Sequence, residues 1–453
     1  MAISHARTLQ PDVFTGFARI LGTAGLRFER RRCWGPMQAI AALFVMRCPA
    51  MTYTARSSIP ATQELFGAMF GWQRTPVASG LSRARRQVQD ADVRTAWKHC
   101  QAWAMHHAAT VGGHLVPGQT VIAVDGTTLH MPRSASTVRA FPIAKDDLEL
   151  ELHHYPQARL VSAWDVERRI PIAWSMTSMK VGERMGLTRL LPALPERSVL
   201  LLDRGFPSRE ILGHILAGGH DAVMRMVSAK AGSWPEIAAF MASGERSAII
   251  QVAVRQNGTK RLVPMRAVLR AFRRGRPHRG EQRDTMVVLT TITDAGRVSD
   301  DAVIDLYHQR WDIETIQREM KTIAALERWH GTTKKLLVQE VHAVMSWFAI
   351  AGAIASRLEA DAKAVDEAKR DPATPADVLP EPKRVHTPSL FAAVHHVLIW
   401  QSAIGHLHPE VVAYLRTSAA IYLDAAHKNM QRIRSGRWHE RKPKHPYARR
   451  VKK

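Results

Sequence analysis

TVIAVDGTTLH (residues 120–130) and SVLLLDRGF (residues 198–206) decide the fold. Each is an apolar run of strand length that reaches an aspartate, Asp125 or Asp203, with a glycine one or two residues later. Such runs read as buried strands with a turn behind them. Between them, residues 158–166 and 171–176 flank a polar Glu-Arg-Arg and read as a hairpin, and residues 182–194 read as a helix. Beyond them, a helix is expected from Ser208, a strand at 221–227 and another at 285–293. A long helix should follow from about Ser299, where Ser-Asp-Asp makes an N-terminus. Strands alternating with helices specify an α/β sheet covered by helices. Carboxylates at strand ends project from the edge where such sheets carry their chemistry, although each could also simply cap its own turn.

Outward from this core the chain is strongly basic. Of 453 residues, 64 are Lys or Arg against 40 Asp or Glu, a formal charge of +24. That excludes an ordinary neutral metabolic enzyme as the default and favours a partner of dense negative charge, nucleic acid above all. Hydrophobic residues make up 46%, enough for a real core. The three cysteines, Cys33, Cys48 and Cys100, form neither a disulfide framework nor a zinc motif, and suggest a reducing cytoplasm. The N-terminus has no secretion-signal pattern. The longest nearly apolar run, residues 343–355, is shorter than the roughly 20 residues that cross a bilayer and reads as a buried helix.

The third informative stretch is DAVIDLYHQRWDIETIQREMKTIAALE, residues 301–327. At 100° per residue, Tyr307, Arg310, Glu314, Arg318 and Lys321 fall within about 80° of one another. Leu306, Ile313, Ile316 and Met320 fall on the other side. One face therefore packs, and the other offers a carboxylate among cations and a phenol. A solvated face with an i,i+4 Arg310–Glu314 pair is the plainer alternative. Trp311 suits either a core or a stacking position. Three carboxylates, Asp125, Asp203 and Glu314, suit a hard cation, Mg²⁺ or Mn²⁺, rather than zinc. Two such ions roughly 3.5–4 Å apart can clamp both oxygens of a phosphodiester exchange.

The flanks are helical and basic. Residues 1–115 carry 14 Lys or Arg against 5 acids, with apolar helical stretches around 37–46 and 64–70. Arg83, Arg85 and Arg86 cluster on one short helix, which either contacts DNA or forms a solvated basic face. Residues 228–284 interrupt the sheet as an inserted β-rich subdomain. It ends in seven arginines within 18 residues, from Arg266 to Arg283. Residues 359–388 form a charged, proline-rich linker, and 389–453 a helical region with a basic tail of 11 Lys or Arg after residue 427.

The spacing Tyr307-x2-Arg310-x3-Glu314-x6-Lys321 resembles the Y-R-E-K signature of DDE transposases of bacterial insertion sequences, specifically the insertion-sequence-four family. The Asp-Gly-Thr at Asp125 and Asp-Arg-Gly-Phe at Asp203 resemble that family's first two acidic motifs. The resemblance covers about residues 115–350. It implies an RNase H-like catalytic core at 116–227 and 285–358, split by the insertion, with a helical N-terminal DNA-binding domain at 1–115. It further implies that Asp125, Asp203 and Glu314 hold two Mg²⁺ (or Mn²⁺) ions. Tyr307, Arg310 and Lys321 would contact DNA backbone near the cut, and Arg318 shares their face. Some relatives stack a tryptophan of the insertion on a flipped base during hairpin formation. The insertion's only tryptophan here is Trp234, near its start.

These expectations add up to a transposase. It would bind terminal inverted repeats as a homodimer on double-stranded DNA, cleave the strand and join the 3′-OH to target DNA. No membrane association is expected. A structure-specific nuclease that does not join strands and a non-catalytic DNA-binding repressor are the rival readings.

Overall fold

The computed structural model describes residues 34–49, 58–60, 62–63, 77–109, 115–145, 150–226, 234–256, 258–273, 283–368, 383–384 and 431–432. The apolar stretch at 64–70, the arginine-rich segment after residue 273 as far as 282, the helical region expected at 389–427 and nearly all of the basic tail lie outside the described residues.

One mixed sheet of eight strands organises these residues. Its strands are β1 (Val121–His130), β2 (Gln157–Asp165), β3 (Ile170–Ser178), β4 (Val199–Leu202), β5 (Asp221–Arg225), β6 (Ser247–Gln256), β7 (Thr259–Arg273) and β8 (Arg283–Thr290). Their spatial order is β3-β2-β1-β4-β5-β8-β7-β6. β1, β4 and β5 run parallel, and β2 is antiparallel to both β1 and β3. The four residues of β4 are fully buried, which is why an uninterrupted Val-Leu-Leu-Leu run forms a strand here.

The strands within the segment expected as an inserted subdomain do not form a separate sheet. β8 pairs antiparallel with β5, and β7 and β6 follow outward, so residues 247–290 extend the central layer. Gly213 makes this possible on one side. A Cβ there would lie 1.7 Å from the Arg255 carbonyl oxygen, so only glycine lets a helix approach β6 backbone so closely.

The helices are α1 (Pro36–Met46), α2 (Ala78–Gln87), α3 (Asp90–His107), α4 (Ala135–Ala140), α5 (Glu183–Leu190), α6 (Arg209–Ala217), α7 (Pro235–Ser243), α8 (Asp300–Gln309), α9 (Trp311–Thr322) and α10 (Lys334–Ala368). Their starts follow capping chemistry. Ser208 Oγ accepts from the Ile211 N–H at 3.1 Å, and Ser299 Oγ from the Ala302 N–H at 3.2 Å. The single long helix expected from Ser299 is two, α8 and α9, meeting at Arg310. There the backbone tightens, with Arg310 N–H bonded to Tyr307 O and Ile313 N–H to Arg310 O, each three residues back.

α10 carries the apolar run expected at 343–355. By length and composition its stretch Lys334–Asp361 is apolar enough to cross a bilayer, yet 94% of the most apolar window is buried inside the protein. Trp347 stacks on Phe44 of α1 at 4.1 Å, and Phe348 meets Trp164 of β2 edge-on at 5.8 Å. α10 runs to Ala368, so the first ten residues of the expected linker are helical. The short strands Lys383–Arg384 and Gln431–Arg432 pair with each other.

Candidate active site

The parallel ladder between β1 and β4 ends at the pair Val124 and Leu202. The next residue on each strand is an aspartate, so Asp125 and Asp203 emerge side by side at the carboxyl edge of the parallel strands. Contrary to the expectation that it ends an apolar strand, Asp125 lies inside one. β1 continues to His130 because β2 keeps pairing with it. Each aspartate is turned by the glycine behind it. Gly126 N–H donates to Asp125 Oδ1 at 2.9 Å, and Gly205 N–H to Asp203 Oδ1 at 2.8 Å.

α9 brings the third carboxylate over this edge, packed against β1 through the buried Ile313, Ile316 and Met320. Glu314 Oε1 accepts from Arg310 Nη2 at 2.7 Å, and Arg310 Nη1 lies 3.9 Å from Asp125 Oδ2. One buried guanidinium thus bridges the first and third acids. Burial pushes the Asp125 carboxyl up to about 7; Arg310 opposes the rise, while repulsion from Asp203 and Glu314 adds to it. The three acids expected to act together therefore influence one another in the folded chain.

Other expected site residues are placed differently. Tyr307 is 2% exposed, its ring 5.9 Å from the Arg310 guanidinium, so it supports that arginine rather than facing outward. Burial raises its hydroxyl pKa above the ordinary value. Lys321 Nζ donates to Thr128 O of β1 at 2.6 Å, tying the end of α9 to the strand that carries Asp125. Arg318 is exposed on α9, and its Nη2 donates to Thr315 Oγ1 at 3.2 Å. Arg83 and Arg86 are exposed on α2. Arg85, expected beside them as a DNA contact, is buried against Glu340 at 2.9 Å. It faces inward because a carboxylate with no exposed surface needs a counter-ion there.

Among the described residues no three acidic, histidine or cysteine side chains converge closely enough to cage a metal ion. Glu314 is engaged by Arg310, but Asp125 and Asp203 offer adjacent hard oxygens. Burial chiefly, with repulsion from Asp203 and Glu314, makes the charged form of Asp125 costly unless a cation joins it. This donor set fits a hard divalent cation.

Reasoning from the sequence missed Glu183 and Arg184. They open α5 and lie against the turns behind Asp125 and Asp203. Arg184 donates to Gly205 O at 3.0 Å and Pro207 O at 3.1 Å. No spacing in the sequence marks them, because they reach the site only through the packing of α5 on β2 and β3.

The sequence profile of the family described as Transposase DDE domain matches residues 116–348. The chain is 25% identical over 275 residues to "Transposase InsG for insertion sequence element IS4" of Escherichia coli (strain K12), a match spanning 59% of this chain and 58% of that protein. It also matches, at 9% identity and a TM-score of 0.41, the piggyBac transposase in a synaptic complex with hairpin DNA, over 93% of this chain and 85% of that one. The family match takes in both aspartate turns and the helix bearing Glu314, in the order the motifs require: the chain belongs to the DDE transposase family.

Proposed function

We propose that the protein binds the terminal inverted repeats of its own insertion sequence. It then catalyses metal-dependent strand cleavage and transfer of the 3′-OH into target DNA, acting as a homodimer in the bacterial cytoplasm or nucleoid. The observation that carries this reading is the placement of Asp125 and Asp203 one residue beyond a shared parallel ladder, with Glu314 linked to Asp125 through Arg310. The order of β1 to β5, with only β2 reversed, supports an RNase H-like core.

Asp125, Asp203 and Glu314 would hold two Mg²⁺ or Mn²⁺ ions. When bound, these would activate the attacking oxygen and stabilise the leaving one. Arg310 neutralises the acids while no cation is present, and Glu314 must leave it to act as a ligand. Arg318 on the open face of α9, with Arg83 and Arg86 on α2, supplies positive charge for phosphates. Tyr307 holds Arg310 in place, and Lys321 holds α9 on β1.

Asp125→Asn, Asp203→Asn and Glu314→Gln should each reduce cleavage of an inverted-repeat substrate by more than about 100-fold, beyond the loss typical of outer-shell partners, with end binding retained. Near-normal cleavage by any of the three overturns the assignment. Cleavage without joined product from a pre-cut end would make the protein a structure-specific nuclease. Tight binding with no cleavage in Mg²⁺ or Mn²⁺ would make it a repressor.

A further inference from the structure

Glu183 lies over Gly126, the residue behind Asp125. A Cβ at Gly126 would sit 2.7 Å from both Cγ and Oε1 of Glu183, so any larger residue there would push the Glu183 side chain aside. On the other side, Glu183 Oε2 lies 3.7 Å, and Asp203 Oδ1 3.1 Å, from the point a Cβ on Gly205 would occupy. The Glu183 and Asp203 carboxylates therefore face the same small space between the two aspartate turns. The Glu183 side chain is 34% exposed toward solvent. Its ion pair is Arg159 Nε at 3.7 Å, and Arg159 is itself anchored to Val181 O at 3.0 Å. Arg184, the next residue, clamps the turn after Asp203 through Gly205 O and Pro207 O. The first turn of α5 is thus fixed to both turns that present the aspartates, with a carboxylate directed between them.

We infer that Glu183 is a fourth carboxylate of this site: a positioning residue that accepts hydrogen bonds from the water shell of the divalent cation held by Asp125 and Asp203. The inference rests on the proposed metal-dependent function. Mg²⁺ and Mn²⁺ sites of this kind combine one or two carboxylates with retained waters, and groups that orient those waters tune the ion. Arg159 balances the Glu183 charge from behind, which leaves the carboxylate oxygens available on the side of the aspartates.

The test is Mn²⁺ binding to the full chain without DNA, read by electron paramagnetic resonance, alongside the metal-free melting temperature. Glu183→Gln keeps the shape and removes the charge. It should weaken Mn²⁺ binding about tenfold, as loss of an outer-shell partner does, with the metal-free melting temperature unchanged. It should also raise the Mg²⁺ concentration needed for half-maximal cleavage. Wild-type Mn²⁺ affinity in Glu183→Gln, with binding lost in Asp125→Asn, would overturn this inference and leave the proposed function standing. Equal weakening in Glu183→Gln and Arg159→Gln, with a matching fall in melting temperature, would also overturn it, since the residue would then only hold α5 on the sheet. Wild-type affinity in Asp125→Asn would overturn the metal-dependent reading itself.

Discussion

Two of the arginine–carboxylate clusters among the described residues have opposite charge balance. At the sheet edge, Asp125 and Glu314 share the buried guanidinium of Arg310 with Asp203 close by, and burial and the neighbouring acids push the Asp125 carboxyl up to about 7. Beneath α10, the fully buried Glu340 meets Arg85 at 2.9 Å, Arg47 at 3.7 Å and the His330 ring at 3.3 Å. There burial pushes the carboxyl up, but its bond from His330 and the charges of Arg85 and Arg47 prevail, and Glu340 falls to about 2. Both acids are buried; the hydrogen bond from His330 and the two guanidiniums at Glu340, against one guanidinium and two further acids near Asp125, set the direction. A surplus of carboxylate leaves a demand that an incoming cation can meet, whereas a surplus of guanidinium makes a self-sufficient staple.

Loss of the triad acids would break the comparison on the site side most completely, as set out above. On the staple side, Glu340→Ala should lower unfolding free energy by about 3–5 kcal/mol, because it leaves Arg47 and Arg85 buried without a counter-ion. Denaturant titration checks this, and a loss below about 1 kcal/mol would mean that the cluster does not hold the fold. Lys321→Ala removes the bond to Thr128 O and should destabilise by about 1.5 kcal/mol while also reducing cleavage. Full stability with reduced cleavage would return Lys321 to the role of a DNA contact.

The two clusters also predict opposite responses to pH. Asp125 binds its proton more tightly folded than unfolded. Its stabilising contribution is complete below about 3.8 and is lost as pH rises toward about 7 in metal-free protein. Glu340 behaves in reverse: its contribution is present above 4.5 and is lost as pH falls toward about 2. Stability measured against pH should lose its decline between about 4 and 7 in Asp125→Asn, and its acid-side fall should soften in Glu340→Gln. An unaltered profile in both variants would contradict the contrast. The smallest effect is expected at Arg83→Ala, with stability within about 0.5 kcal/mol of wild type and the slope of DNA affinity against salt reduced by about 1. Arg85→Ala should do the opposite, costing stability first.

Much of the centre was legible in the sequence. The aspartate turns, the hairpin of β2 and β3, the serine caps of α6 and α8 and the buried run inside α10 all follow from local patterns of apolar residues and turn chemistry. Asp125, Asp203 and Glu314 could be proposed together because two aspartate motifs precede a helix whose Tyr307, Arg310, Glu314 and Lys321 lie at fixed spacings. What the sequence hid was long-range. Arg85 looks like Arg83 and Arg86 until Glu340, 255 residues away, is placed beside it. Tyr307 shares a helical stripe with Glu314, but the tightened turn at Arg310 and the packing of α8 on β4 and β5 bury it. The continuity of β8, β7 and β6 with β5 was invisible because strand partners, unlike strands, leave no local trace. Glu183 was invisible for the same reason.

That continuity has a structural consequence. β8 covers the outer side of β5, and β7 and β6 carry the border further out. Excising residues 247–273 would leave β8 as a bare rim of unpaired amide and carbonyl groups, a template onto which another chain can add. The segment that interrupts the core in the sequence is, in three dimensions, its selvedge: the finished edge that keeps the woven layer from unravelling into its neighbours.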